Sequence, residues 1–177
     1  MKKQYRIYLF SALILVLGIL ADQFSKQSAI NRLMDRDSYI VIKDVLRFTY
    51  LENRGAAFGS LTDARWVFLV FSTVGILALC AYLLFVKHNG YLLPLSLAMI
   101  ASGGVGNMID RIRLGYVVDF IDVYCFDFWY YIFNVADMLV CVGAGMMFLA
   151  VILEWRAETR KNKEKENVNN DLQNPLE

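Results

Sequence analysis

Residues 66–86 read WVFLVFSTVGILALCAYLLFV, 21 consecutive residues without a charged side chain. An α-helix rises about 1.5 Å per residue, so about 20 apolar residues cross the roughly 30 Å hydrocarbon core of a bilayer. Three further apolar stretches occupy residues 7–21, 91–109 and 136–153. The sequence therefore predicts four transmembrane helices. Their approximate bounds are residues 7–24, 66–86, 91–109 and 135–153.

The composition of the chain agrees with this prediction. Hydrophobic residues make up 58% of the 177 residues and charged residues 20%, and the mean hydropathy is +0.43. Soluble globular domains contain roughly 45–50% apolar residues, glycine included. The formal net charge is only +1, so we expect no nucleic-acid partner.

The first apolar stretch follows a basic N-terminus and in this respect resembles a secretory signal peptide. Its end carries Ile19 and Ala21 and lacks an A-x-A cleavage site, and the helical pattern continues through residues 22–26. We therefore expect an uncleaved first helix.

The distribution of Lys and Arg predicts the orientation in the membrane. The N-terminus, the 87–90 turn and the segment from 154 onward hold nine Lys/Arg in 34 residues, against nine in 68 for segments 22–65 and 110–133. By the positive-inside rule, both termini are expected in the cytoplasm. We expect residues 1–159 to form a single membrane-embedded domain and residues 160–177 a disordered cytoplasmic tail, because the tail is rich in Lys, Glu and Asn.

The segments between the helices differ in character. Residues 39–51 are rich in β-branched and aromatic residues and have a turn signal at Lys43 and Asp44. This pattern predicts a small hairpin that lies on the outer face of the membrane crossed by the helices. Residues 115–133 are apolar but carry three aspartates, so they are not expected to span the bilayer. The predicted fold is an all-α membrane protein with a small extracytoplasmic β-hairpin or sheet region between helices one and two.

Three helix ends must meet at one membrane face, because the chain crosses the bilayer once per helix. The end of helix one, the end of helix three and the start of helix four carry nearly all the polar residues at membrane depth. The polar residues at each of these ends are three or four positions apart, so those of one helix lie on the same helix face. These residues are Asp22 and Lys26, then Asn107, Asp110 and Arg111, then Asn134 and Asp137.

Asp137 lies at the start of an otherwise apolar span, where intramembrane carboxylates usually face a bundle interior and have a function. Asp119, in an apolar segment, is its natural partner. Two carboxylates about 4 Å apart repel by about 4 kcal/mol at an effective dielectric of about 20, so one of the two keeps a proton. Such a pair supplies a base for water and an acid for an amide leaving group. On chemistry alone, Asp122 or Asp110 would serve in place of Asp119.

Five motifs occur along the chain, namely DQFSK (22–26), ENRGAAFG (52–59), GGVGNMIDR (103–111), GYVVDFID (115–122) and FNVAD (133–137). In sequence and in order they closely resemble the motifs of the lipoprotein signal peptidases, the signal peptidase II family of bacterial inner-membrane aspartic peptidases. The resemblance covers residues from about 7 to 153, with Ser25 where the family often has threonine and no aligned motif over 125–132.

The resemblance implies an enzyme that cleaves diacylglyceryl-modified prolipoproteins just before the lipidated cysteine, near the extracytoplasmic face of the inner membrane. Asp119 and Asp137 match the catalytic dyad. Other positions are implied to support the dyad or to bind substrate, namely Asn53, Gly55, Asn107, Arg111 and Asn134. Structural support is expected from Asp22, Lys26 and Asp110. Arg111 is expected to hold either Asp110 or a substrate backbone.

Alternative functions fit the sequence less well. A Cys/His mechanism would need Cys125 and His88, which are predicted on opposite membrane faces. A proton-coupled transporter would show internal repeats and polar residues at the midplane of several helices, and a membrane scaffold leaves the aspartates unexplained. No metal or cofactor motif occurs, so we expect none, and we expect a monomer whose partners are its lipoprotein substrates and membrane lipids.

Overall fold

The computed structural model describes residues 2–55, 65–88, 90–125 and 129–173. Four helices lie in this part of the chain: α1 (Lys2–Leu33), α2 (Arg65–Phe85), α3 (Leu92–Arg113) and α4 (Val135–Gln173). Four strands accompany them: β1 (Tyr39–Ile42), β2 (Leu46–Asn53), β3 (Val117–Cys125) and β4 (Trp129–Phe133).

All four helices are long and apolar enough to cross a membrane, and they occur in the four regions where the sequence predicted helices. The two terminal helices are longer than predicted, because α1 has 32 residues and α4 has 39. The helix of α4 runs through residues 160–173, where the sequence predicted a disordered tail. Residues 160–166 contain three Lys, two Glu and one Arg, which are good helix formers.

α3 is the central helix and packs against α1, α2 and α4. Small residues permit the close approach. A Cβ placed on Gly103 would overlap the carbonyl oxygen of Ala136 in α4, and one on Gly18 in α1 would overlap the hydroxyl of Ser102. α2 contributes only Leu69 to the buried core among its described side chains, so most of its apolar surface is free to contact lipid.

The hairpin predicted over residues 39–51 is present as β1 and β2. Asp44 has φ +59° and occupies the turn, where Val45 N–H donates to the carbonyl of Ile42 at 3.1 Å. Aspartate tolerates this left-handed conformation better than most residues. The turn chemistry of Lys43 and Asp44 thus sets the position of the hairpin.

The sheet is larger than the sequence predicted. β3 and β4, which lie between α3 and α4, extend the hairpin into a four-stranded antiparallel sheet of order β1-β2-β3-β4. β2 pairs with β3 so that Leu51 lies opposite Asp119 and Asn53 opposite Val117. This pairing brings two distant interhelical segments together beside the ends of α1 and α3.

Short connections place the sheet against the helices. After α3, Gly115 adopts φ +89°, a conformation that favours glycine, and the chain enters β3 two residues later. At the other edge, Asn134 alone separates β4 from α4. The polar ends of three helices and the start of β3 therefore meet in one small region.

Candidate active site

Asp119 lies near the start of β3 and is 1% exposed. Its two carboxylate oxygens accept hydrogen bonds from two amide side chains. Asn53 Nδ2 donates to Oδ2 at 2.8 Å, and Asn134 Nδ2 donates to Oδ1 at 2.6 Å. The predicted residue Asn53 thus reaches Asp119 from the end of the neighbouring strand.

Asp137 lies in the first turn of α4 and is held by the residue that caps this helix. Asn134 Oδ1 accepts the backbone N–H of Asp137 at 3.0 Å, and Asp137 Oδ2 accepts the backbone N–H of Asn134 at 3.2 Å. This reciprocal pattern is that of a capping box. The other oxygen of Asp137 accepts from Asn107 Nδ2 at 2.8 Å.

Asn134 therefore contacts both aspartates, one through its side-chain amide and the other through its backbone. It is fully buried. The structure thus brings Asp119 and Asp137 to the same asparagine, in agreement with the predicted convergence of helix ends.

Hydrogen bonds to both the oxygen and the nitrogen of its side-chain amide fix the orientation of Asn107. Its oxygen accepts from Lys26 Nζ at 2.8 Å and from Asn134 Nδ2 at 3.2 Å. Because that oxygen faces two donors, the amide nitrogen is directed at the carboxylate of Asp137. Lys26 thereby influences Asp137 without touching it.

Lys26 is the centre of a buried ionic cluster. Its ammonium lies 2.9 Å from a carboxylate oxygen of Asp22 and 2.9 Å from one of Asp110, and all three side chains are at most 4% exposed. The predicted pairing of Asp22 with Lys26 is present, and Asp110 completes it. Removing one member of such a cluster leaves an uncompensated buried charge, which costs about 3–5 kcal/mol.

The two carboxylates of this cluster also accept backbone hydrogen bonds. Asp22 Oδ1 accepts from the N–H of Ala136 at 2.9 Å, and Asp110 Oδ2 accepts from the N–H of Val118 at 3.1 Å. Ala136 precedes Asp137, and Val118 precedes Asp119. The cluster therefore fixes the backbone immediately before each of the two site aspartates.

Gln23 belongs to the same cluster, although the sequence analysis assigned it no role. Its amide nitrogen lies 3.1 Å from a carboxylate oxygen of Asp22, 3.1 Å from one of Asp110 and 3.2 Å from the carbonyl oxygen of Gly106. A glutamine at membrane depth between Asp22 and Lys26 was the signal that would have identified it.

Arg111 does not hold Asp110, which was one of its two predicted roles, because Asp110 is paired with Lys26. The Arg111 guanidinium instead lies 5.1 Å above the ring of Phe68 in α2, and its Nη1 is 3.4 Å from the carbonyl oxygen of Asn107. This places a cation beside the site, between α2 and α3.

Gly55 has φ +82°, and its N–H donates to Asn53 Oδ1 at 3.0 Å. A Cβ at this position would lie 2.7 Å from Cε2 of Phe68. Glycine is therefore required both by the backbone conformation and by the close approach to α2. Residues 56–59, the rest of this predicted motif, lie outside the described residues.

Asp122, one alternative partner for Asp137, lies elsewhere. It is fully buried, forms an ion pair with Arg47 at 2.5 Å and accepts from Thr49 Oγ1 at 3.1 Å. Residues three apart on a strand point to opposite faces, which separates Asp122 from Asp119. Asp110, the other alternative, is held in the Lys26 cluster.

The environment of Asp119 changes its acidity. Burial raises the pKa of its carboxyl from 3.8 to about 6, and the nearby charge of Asp137 also raises it, whereas the hydrogen bonds from Asn53 and Asn134 oppose the rise. A carboxyl with this pKa holds and releases a proton near neutral pH. Across residues 2–55, 65–88, 90–125 and 129–173, no group of three His, Cys, Asp or Glu is placed to hold a metal ion.

Comparison with known proteins identifies the family. The family model described as signal peptidase (SPase) II matches residues 14–153. The lipoprotein signal peptidase of Clostridium tetani is 44% identical over 150 residues, covering 84% of this chain and 96% of the relative. That of Caldanaerobacter subterraneus is 46% identical over 136 residues, covering 77% of this chain and 91% of the relative.

Solved structures agree with these relatives. One structure, described as a bacterial membrane enzyme, aligns with a TM-score of 0.73 at 31% identity and covers 80% of this chain and 91% of its own. Four helices that are long and apolar enough to cross a membrane, matched in this way, define a multi-pass membrane enzyme of the aspartic peptidase class. The chain belongs to the signal peptidase II family, which confirms the resemblance found in its motifs.

Proposed function

We propose that the chain is an endopeptidase that removes signal peptides from diacylglyceryl-modified prolipoproteins by cleaving before the lipidated cysteine. The relatives at 34–46% identity that carry the name lipoprotein signal peptidase support this substrate class. The observation that carries the mechanism is the position of Asn134, which hydrogen-bonds Asp119 through its side chain and Asp137 through its backbone. We infer that these two aspartates form the catalytic dyad.

The two carboxyls differ in their surroundings, and this difference suggests their roles. The raised pKa of Asp119 favours its protonated form. Asp137 lies in the first turn of α4, where the helix dipole stabilises a negative charge. In the proposed mechanism Asp137 removes a proton from water as the water oxygen attacks the scissile carbonyl carbon, while Asp119 donates its proton to the carbonyl oxygen.

The C–N bond of the tetrahedral intermediate then breaks as Asp137 passes its proton to the leaving nitrogen and Asp119 takes a proton from a hydroxyl of the intermediate, which restores both carboxyls to their starting states. Asn107 and Asn134 hold the carboxylates in the required orientation through the contacts described above. In this proposal the Arg111 guanidinium, which lies over Phe68, donates to a substrate carbonyl. In this proposal Asn53 and Gly55 form the wall opposite α4.

The site lies at one face of the membrane, because Asp22 and Lys26 follow the 7–21 apolar stretch of α1. We propose that this face is extracytoplasmic, that both termini are cytoplasmic and that the protein acts as a monomer in the bacterial inner membrane. A substrate held in the bilayer by two acyl chains would present its cysteine at this depth. No cofactor enters the proposed mechanism.

The test is mass spectrometry of a diacylglyceryl-cysteine prolipoprotein peptide incubated with the purified enzyme in lipid. Asp119→Asn and Asp137→Asn are expected to lower the cleavage rate by about 100-fold to 10,000-fold or more, since each removes an acid-base group with little change in volume. Circular dichroism and thermal unfolding check that both variants fold.

Asp44→Asn is the matched control, because Asp44 is an exposed residue of the hairpin turn and asparagine tolerates its positive φ. This variant should cleave at the wild-type rate. An unlipidated peptide should resist cleavage. Normal turnover by Asp119→Asn or Asp137→Asn would refute the dyad, and equal cleavage of both peptides would refute the lipid requirement.

A further inference from the structure

A cavity of about 650 Å³ lies beyond the site, between the end of α1 and the sheet. Its apolar wall includes Ala29 and Leu33 from α1 and Phe48 and Phe120 from the sheet. Phe120 follows Asp119 directly, and neighbouring residues of a strand point to opposite faces. The cavity therefore lies on the face of β3 away from the proposed dyad.

The cavity has an excess of positive charge. Its charged lining residues are Arg32, Arg36 and Asp37. Both arginines are exposed, and within the described residues neither forms an ion pair. Two guanidinium groups without a partner, beside one carboxylate, favour an anionic ligand.

The depth of these residues in the membrane identifies the kind of anion. Counting about 20 residues from Ile7 for the hydrocarbon core places its outer boundary near Lys26. Arg32 is six residues further along α1, or about 9 Å at 1.5 Å per residue. The headgroup layer is about 5–8 Å thick on each side of the hydrocarbon core, so Arg32 lies at its outer edge and its long side chain reaches back to the depth of the lipid phosphates.

The arginines lie toward the outer end of the part of α1 that lines the cavity. Ser28, which is exposed and carries a hydroxyl, and Ala29 lie about one helical turn closer to the hydrocarbon core than Arg32. The cavity therefore joins cations at headgroup depth to a hydroxyl and to apolar side chains. A phospholipid likewise joins a phosphate to ester carbonyls and acyl chains.

We propose that this cavity binds an anionic phospholipid, with its phosphate between Arg32 and Arg36 and an acyl chain against Ala29, Phe48 and Phe120. The site is separate from the one proposed for the lipidated substrate. A lipid in this position packs against the back of β3 and supports the strand that carries Asp119.

The experiment is native mass spectrometry of the full-length protein in detergent, titrated with phosphatidylglycerol or with phosphatidylcholine of the same acyl chains. Wild type is expected to bind one phosphatidylglycerol at least about tenfold more tightly than phosphatidylcholine. The double variant Arg32→Gln/Arg36→Gln should lose this preference. Ser28→Trp, which fills the cavity and keeps both arginines, should weaken binding of the lipid by about tenfold or more.

Arg113→Gln is the matched control, because Arg113 is an exposed arginine at the end of α3, on the same membrane face but outside the cavity. It should bind phosphatidylglycerol as wild type does, and thermal unfolding should show all variants folded. If Arg113→Gln lost the preference for phosphatidylglycerol to the same extent, or if Ser28→Trp bound the lipid as wild type does, the preference would come from general surface charge. Either result would overturn the proposal. Competition by glycerol phosphate at the same concentration as the intact lipid would also overturn it, since the ligand would then be a free phosphate.

Discussion

Asn134 illustrates how much of the site depends on one side chain. Its oxygen caps α4 by accepting the N–H of Asp137, and its amide nitrogen donates to Asp119 and to Asn107. An aspartate would keep the cap but lose both donations, and a serine would be too short to make all three contacts. Asparagine at this position therefore both caps the start of α4 and positions two carboxylates.

The raised pKa of Asp119 predicts a pH dependence at the residue scale. If the active form carries one proton on the dyad, Asp119 holds that proton below about pH 6 and loses it above. We therefore expect kcat/KM to fall as pH rises through about 6, approaching tenfold per pH unit. The measurement is a profile of kcat/KM from pH 4.5 to 8 with the lipidated peptide in vesicles of uncharged lipid.

Thermal unfolding over the same pH range separates loss of activity from loss of the fold. A value of kcat/KM that increases steadily to pH 8 would mean that the active enzyme carries no proton on Asp119. That result would contradict the assignment of Asp119 as the initial acid, although both aspartates would remain candidates for water activation.

The residues of the site were predictable from the sequence to different degrees. Asp22, Asn107 and Asp137 could be placed together because helix ends on one face of the membrane must be neighbours. The partners of Arg111 and Gln23 could not be predicted, since these depend on the rotation of α3 against α1 and on competition for the same carboxylate. Lys26 forms the ion pair with Asp110, and the Arg111 guanidinium lies over Phe68 instead.

At the scale of helices and strands, the close contact of α3 with α4 determines where Asp137 lies. Ala136 is in contact with Gly103 through its carbonyl oxygen, and its N–H donates to Asp22. A side chain at position 103 must push the start of α4 away, because the obstructing atom belongs to the backbone. The geometry of the proposed dyad therefore depends on a glycine in the middle of a transmembrane helix.

Gly103→Ala is expected to lower the thermal unfolding temperature by several degrees and to reduce cleavage at least about tenfold, because it separates α4 from α3. Gly145→Ala is the matched control, since a Cβ there meets nothing within 4 Å. Helix propensity favours this second change by about 1 kcal/mol. Unfolding temperature and peptide cleavage are measured for both, and equal behaviour of the two variants would show that the close approach is unimportant.

The strands were only half predictable, for a physical reason. The strands β1 and β2 are adjacent in sequence, so their turn residues and β-branched pattern are sufficient to predict the hairpin. The pairing of β2 with β3 joins Asn53 to Val117, residues far apart in sequence whose encounter depends on the packing of three helices. The apolar run of β3 gives no period-two pattern to distinguish it, because Val117, Val118 and Phe120 are all buried.

At the scale of the whole molecule, orientation in the membrane connects the site to its substrate. The hairpin lies at the end of α1 and the last described residues at the end of α4, on opposite faces of a four-helix protein. Only one orientation places the sheet and the proposed dyad on the extracytoplasmic side, where a translocated prolipoprotein would arrive. The Lys/Arg distribution predicts this orientation.

Single-cysteine variants at two exposed positions test the orientation directly. Asp44→Cys lies in the hairpin turn and Lys161→Cys in the C-terminal extension of α4, each in a background with alanine at positions 80, 125 and 141. A membrane-impermeant maleimide should label Asp44→Cys in intact spheroplasts and should label Lys161→Cys only after lysis. The opposite pattern would place the site on the cytoplasmic face, where a prolipoprotein cysteine does not arrive, and the proposed substrate would then be wrong even if the dyad were correct.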